Sequence, residues 1–226
     1  MKILAIGAHP DDVELGCFAT LAKFAKEGHE IHILVCSRGE AGLVGVEAIH
    51  NRIEEAKRSA ALINAKVYFG NLLDTKISDG IETIKLVESH IKKINPDVLF
   101  FNHKDDTHQD HRHLASAVIS ATRFTPHKIY MYESPSTSKL FEPTVYFDVT
   151  DTFDIKLKAV QIHRSQGQKS YMADRAIKGL AEYRAYEIGL NDKLVEGFTP
   201  LRILINKVIP SKLNKFLYEL EHDLKP

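Results

Sequence analysis

Two short stretches of this chain concentrate groups that bind metal ions and move protons. Ala8-His9-Pro10-Asp11-Asp12-Val13-Glu14 puts one histidine and three carboxylates between His9 and Glu14. Pro10 fixes its own φ and biases His9 toward extended backbone. Adjacent carboxylates repel, and a cation beside them relieves that cost. Imidazole nitrogen and carboxylate oxygen are both zinc ligands at about 2.0–2.2 Å. His9 and Asp12, three apart at a turn, can reach one ion while Asp11 points elsewhere. The blander reading is that Asp12 caps a helix starting near Val13 and Glu14 favours its dipole.

A second stretch, Asn102 to His113, holds four histidines and three aspartates. Its core is His108-x-Asp110-His111, at the start of a predicted helix. A third ligand from here would complete the His/Asp/His set of a catalytic zinc site and leave a position open for water. A merely structural cluster of this density is the weaker reading beside the first motif. His113, two residues past His111, is expected on another side of the helix and exposed. His103 either ends the preceding strand or lies near the site.

The elements that must position these groups follow from apolar patterning. Ile3 to Ala8 is an apolar run without helical period, and so a buried strand. A helix is predicted over Val13–Lys26 and stopped by Gly28. Strand Ile31–Cys36 leads into the glycine-marked loop Ser37–Gly42. Helix 48–64, strand Lys66–Phe69, helix Ile81–Ile94 and strand Val98–Phe101 follow. Then come helix Gln109–Arg123 and strand Lys128–Tyr132. This alternation predicts an α/β fold with parallel strands. Beyond Thr144 the pattern changes to strand Val145–Val149, helices Phe153–His163 and Asp174–Leu190, and an amphipathic stretch over 211–224. With no repeat or linker, residues 1–226 read as a single domain, an α/β part over 1–132 and a C-terminal elaboration over 133–226. If the strand order is 3-2-1-4-5, both motifs meet at the carboxyl ends of neighbouring strands, where open α/β sheets bind ligands.

Composition excludes more than it assigns. The 226 residues are 44% hydrophobic and 27% charged, and Lys plus Arg equals Asp plus Glu at 30 each, which gives no footprint for nucleic acid or an anionic membrane. The N-terminus begins like a signal peptide but meets His9-Pro10-Asp11-Asp12 too soon, and no apolar run approaches the roughly 18 residues of a membrane span. Cys17 and Cys36 cannot make a disulfide framework and are expected in the core, in a reducing, cytoplasmic setting. The other histidines (His29, His32, His50, His90, His127 and His222) read as surface or packing residues.

Together, A-H-P-D-D-x-E and the later H-x-D-H resemble the PIG-L (LmbE-like) deacetylase family. Ser37-Arg38-Gly39-Glu40-x-Gly42, Arg52-x-x-Glu55-Ala56, Leu73-Asp74, His163-Arg164-Ser165-Gln166 and Glu196-x-Phe198 also have family counterparts, so the likeness spans about residues 1–200. Gln109 stands where many members carry proline; the tail beyond about Pro210 has no match. The resemblance implies a Rossmann-like three-layer fold with a mostly parallel sheet and hydrolysis of an acetamide on an N-acetylglucosaminyl-type sugar conjugate, releasing acetate and a free amine. It implies Zn2+ held by His9, Asp12 and His111, with Asp11 as general base. His108 would be a second catalytic group kept cationic and oriented by Asp110. Homo-oligomers are a further implication.

Around that centre, Arg52 is the candidate for a substrate hydroxyl or anionic aglycone, against a surface pairing with Glu54 or Glu55. Asp74 either binds a sugar hydroxyl or is a turn residue. Glu14 braces the first loop, and His163, near a helix end, reads as structural. No tryptophan exists for sugar stacking, and none of the eight tyrosines is assigned. Two rival readings stand. A dinucleotide-binding module would need G-x-G-x-x-G after the first strand, where His9-Pro10-Asp11-Asp12 stands instead. The other is a metal-binding oligomeric protein of the same fold without turnover. The H-E-x-x-H signature of zinc proteases is absent.

Overall fold

The computed structural model describes residues 1–42 and 46–204; the amphipathic stretch expected over 211–224 lies outside them, as does His222. The apolar run at the N-terminus forms β1 (Lys2–Gly7), buried from Ile3 onward. Its side chains alternate between two cores, because successive residues of a strand face opposite sides. Ile3 and Ala5 join Ile31, Ile33, Val98 and Phe100 on one face, while Leu4 and Ile6 join Leu34, Leu99 and Phe101 on the other. Helices cover both faces, so three layers result.

β1 pairs in parallel with β2 (Glu30–Ser37) and β4 (Val98–Asn102), β2 with β3 (Lys66–Leu72), and β4 with β5 (Lys128–Tyr132). The order β3-β2-β1-β4-β5 is the one that brings both motifs to neighbouring strand ends. Beyond β5 the sheet turns antiparallel through β7 (Val195–Arg202) to β6 (Val145–Asp148) at the edge. Sequence patterning misses β7: it contains Gly197 and Pro200 and alternates poorly. Pro200 lies opposite Tyr130, beside a register shift, which accommodates its missing N–H.

The predicted helix over Val13–Lys26 is in fact two, α1 (Asp12–Gly16) and α2 (Phe18–Lys26), broken at Cys17 with φ −145° and ψ 13°. The break lets α1 sit directly on Tyr132, whose hydroxyl donates to the Ile6 carbonyl at 2.9 Å. A Cβ on Gly16 would come within 2.1 Å of the Tyr132 ring. Gly16→Ala is therefore expected to destabilise the protein by about 1–3 kcal/mol, read as a lower denaturant midpoint at unchanged slope. An unaltered midpoint would show that the ring yields.

The remaining helices are α3 (Val46–Ala61), α4 (Ile81–Ile94), α5 (Gln109–Ala121), α6 (Phe153–Ile162) and α7 (Asp174–Glu187). Glu196, buried on β7, pairs with Lys156 of α6 at 2.6 Å and accepts from the amides of Ala19 and Thr20 at the start of α2. This ties β7 and α6 to the second helix after the first motif. Among the described residues no helix is long and apolar enough to cross a membrane. Cys17 and Cys36 are buried and free, as expected.

Candidate active site at the carboxyl ends of β1 and β4

His9, Asp11, Asp12, Arg52, Asp74, His108 and His111 all line one cleft of about 420 Å³, and Asp110 lies fully buried directly behind it. The chain after β1 turns sharply at Asp11, whose φ of 108° lies in the left-handed region that non-glycine residues occupy at a cost. That turn lets the Asp12 carboxylate fold back: Oδ2 accepts from the amides of Ala8 (2.8 Å) and His9 (2.9 Å). Asp12 is thus no simple helix cap. Its Oδ1 is left facing His111 Nε2 at 3.2 Å.

His9 Nδ1 completes the set, 3.3 Å from His111 Nε2 and 3.6 Å from Asp12 Oδ2. Ligands at 2.0–2.1 Å around a tetrahedral zinc stand about 3.3 Å apart, so the spacings that His111 Nε2 keeps from His9 Nδ1 and from Asp12 Oδ1 suit a metal ion. The outward ring nitrogens support the same conclusion. His9 Nε2 lies 3.2 Å from Asp110 Oδ2 and 3.0 Å from Asp74 Oδ1, and His111 Nδ1 lies 3.0 Å from Asp106 Oδ2. Carboxylates on the far nitrogens fix the tautomer that turns the near ones to a metal. Among the described residues, two groups have ligand atoms all within 4.8 Å of one another: His9 with His108 and His111, and His9 with Asp74 and Asp110. In the second, His9 Nε2 is already hydrogen-bonded and Asp110 Oδ2 accepts from Thr75 N at 2.7 Å.

The electrostatics record how strongly this pocket wants positive charge. Burial opposes ionisation of His9, but the carboxylates of Asp110, Asp12 and Asp74 outweigh it and hold its pKa well above the ordinary value. His111 is likewise resisted by burial yet raised to about 9 by Asp12 and Asp106. Asp74, despite burial, is held at about 2 by His9 and the Ala41 amide. Asp11 behaves oppositely: burial lifts its pKa, Arg52 opposes the rise and Asp12 adds to it.

Several expectations change on contact with this geometry. Asp110 does not orient His108 through its carboxylate, which sits on His9. Instead the Asp110 amide donates to His108 Nδ1 at 3.2 Å as α5 begins. His108 therefore carries its proton on Nε2 and is not held cationic; burial, then the charges of His9 and His111, depress its pKa. Arg52 lines the cleft, but Nη1 donates to Gly39 O at 2.9 Å and Nη2 to Pro10 O at 2.6 Å, with Asp11 Oδ1 at 3.4 Å. It clamps the strained turn. His113 is half-buried, with Nδ1 on the Ile77 carbonyl at 2.8 Å. His103 packs edge-on against Phe141, outside the cleft. His163 is fully buried, 3.2 Å from Glu14, and Glu14 also accepts from Ser59. The Arg52-x-x-Glu55 and His163–Gln166 motifs meet where Ser165 donates twice to the Glu55 carboxylate.

Asp106 went unassigned in sequence because it looks like one acid in an acidic run. It accepts from Ser134 Oγ at 2.6 Å and from the His108 amide at 2.8 Å, besides its contact with His111. The readable signal was its position five residues before His111. Asp106→Asn should weaken zinc binding about 10–100-fold, measured by competition with a chromogenic chelator; unchanged affinity would remove Asp106 from the site. Tyr171 and Lys169 also line the cleft. They come from a short turn whose sequence has no periodicity to announce it.

The family profile described as PIG-L, GlcNAc-PI de-N-acetylase, matches residues 4–122, which contain both motifs. The chain belongs to this de-N-acetylase family. Over 171 residues it is 37% identical to the uncharacterized deacetylase YaiS of Escherichia coli K12, covering 72% of this chain and 90% of that one. It is 29% identical to a diacetylchitobiose deacetylase of Thermococcus kodakarensis, covering 73% and 70% respectively. The N,N'-diacetylchitobiose deacetylase structure from Pyrococcus horikoshii superposes with a TM-score of 0.77 at 25% identity, over 88% of this chain and 83% of that one. The chain is also 23% identical to a 4-oxalmesaconate hydratase of Pseudomonas putida, over 72% of this chain and 73% of that one.

Proposed function

We propose that the protein is a zinc-dependent N-deacetylase that hydrolyses the acetamide of an N-acetylglucosaminyl-type sugar or sugar conjugate. One observation carries this: His9 Nδ1 and Asp12 Oδ1 both stand against His111 Nε2, at 3.3 and 3.2 Å, in a cleft whose wall includes the buried carboxylate of Asp11. His9, Asp12 and His111 would hold the ion. Zinc, when bound, supplies Lewis acidity, which acidifies water and polarises a carbonyl.

The chain's own groups do the rest. Asp11, lifted in pKa by burial, accepts the proton of the attacking water. His108 offers Nε2–H to the oxygen on which charge develops at the acetamide carbon. The C–N bond breaks, the proton held by Asp11 passes to the departing nitrogen, and acetate and a free amine leave. Asp110 and Asp74 orient His9, Asp106 orients His111, and Arg52 steadies Asp11. A sugar ring can stack on Tyr171. Two reduced, buried cysteines accord with a cytoplasmic setting.

Fold alone does not choose between deacetylase and hydratase. Metal analysis of the purified protein, followed by acetate release from N-acetylglucosamine, diacetylchitobiose and their glycosides, tests the reading. Zinc near one equivalent with acetate production is expected. Turnover of an unsaturated carboxylate with no acetate from any N-acetyl sugar would overturn it.

A further inference from the structure

A second cavity, of about 230 Å³, adjoins the catalytic cleft; the two have Leu15, Pro135 and Tyr171 in common. Its walls include the aliphatic Leu15, Ile177, Leu180, Ala181 and Val195, and Tyr171 lines both it and the cleft. Four charged side chains also line it, and all are matched. Lys156 pairs with Glu196 at 2.6 Å, and Arg184 grips Glu133 through Nε at 3.0 Å and Nη2 at 2.7 Å while reaching Glu187 at 2.7 Å. Among the described residues lining the cavity, each of these charges already has an opposite partner. Leu180, 40% exposed, and Ala176 keep its rim open to solvent.

We propose that this cavity is the subsite for an uncharged, apolar aglycone, an alkyl or aryl group joined to the sugar whose acetamide lies over Asp11 and Asp12. This rests on the deacetylase reading and narrows its substrate class. An apolar group that leaves water for such a pocket gains about three- to fourfold in affinity per buried methylene. The aliphatic walls supply that gain, and the shared residues let one substrate span both compartments. The competing chemistry is an anionic aglycone. The cleft offers Arg52, held by the Gly39 and Pro10 carbonyls, and Lys169, exposed with its ammonium 5.7 Å from the Tyr171 ring centre. Both lie outside the cavity, whose lining favours the apolar group.

The test compares methyl, hexyl, phenyl and carboxypentyl glycosides of N-acetylglucosamine on the zinc-loaded protein, by acetate release and by calorimetric binding. Hexyl and phenyl glycosides should show a KM at least tenfold below that of the methyl glycoside. Leu180→Glu and Ala176→Trp, both at solvent-open positions of α7, should bring the hexyl-to-methyl ratio of kcat/KM close to one. Equal KM values, a preference for the carboxypentyl compound, or an undiminished ratio in both variants would overturn the proposal. Absence of acetate from every glycoside, with hexyl binding still tight and sensitive to Leu180→Glu, would sink the deacetylase reading and leave the cavity assignment standing.

Discussion

Asp11→Asn is expected to lower kcat by about 10²–10⁴-fold, the usual worth of a positioned general base, while zinc content stays near that of the native protein. The substitution keeps the size of the side chain, and asparagine tolerates the left-handed backbone that φ 108° imposes, so the turn should survive. What disappears is the group able to take a proton. Asp12, not Asp11, faces His111, and so the metal should remain. Metal analysis beside steady-state kinetics separates the two roles. An empty metal site in Asp11→Asn would mean that Asp11, not its neighbour, is a ligand. Native turnover would mean that another group accepts the proton.

The sequence made the convergence of the two motifs legible because both sit where patterning is strongest. Ile3–Ala8 and Val98–Phe101 are apolar without helical period, and each is followed at once by polar residues with metal-binding chemistry. A parallel order around β1 then leaves little freedom in where His9 and His111 end. The partners of those side chains were harder to read. What holds Arg52 in place was not legible, because nothing local reveals that the Gly39 and Pro10 carbonyls turn toward it. Gly39, at φ +68°, has no Cβ to stand in the guanidinium's way. Adjacency suggests that the Asp110 carboxylate orients His108, but a helix start aims the Asp110 amide at His108 and leaves the carboxylate on His9, while the unassigned Asp106 holds His111. β7 escaped notice because Gly197 and Pro200 interrupt its pattern, and Glu196 faces inward only because Lys156 and the start of α2 meet it there.

His111→Ala should abolish zinc retention through purification, and with it turnover, because two remaining donors cannot hold the ion against dilution. The pH dependence of the metal-free protein makes the same point without relying on activity. In the absence of metal, His111 titrates at about 9, above its unfolded value near 6.5. A group whose folded pKa is raised stabilises the fold fully below the unfolded value, and that contribution fades as pH climbs through the folded one. Metal-stripped protein should therefore lose melting temperature between about pH 6.5 and 9. Zinc requires neutral imidazoles, so its stabilising effect should grow over the same interval. The curves with and without zinc should diverge as pH rises, and in His111→Ala the divergence should vanish. Parallel curves in the native protein would mean that zinc and the His111 proton do not compete for one nitrogen. The convergence of His9, Asp12 and His111 would then have no claim to be a metal site.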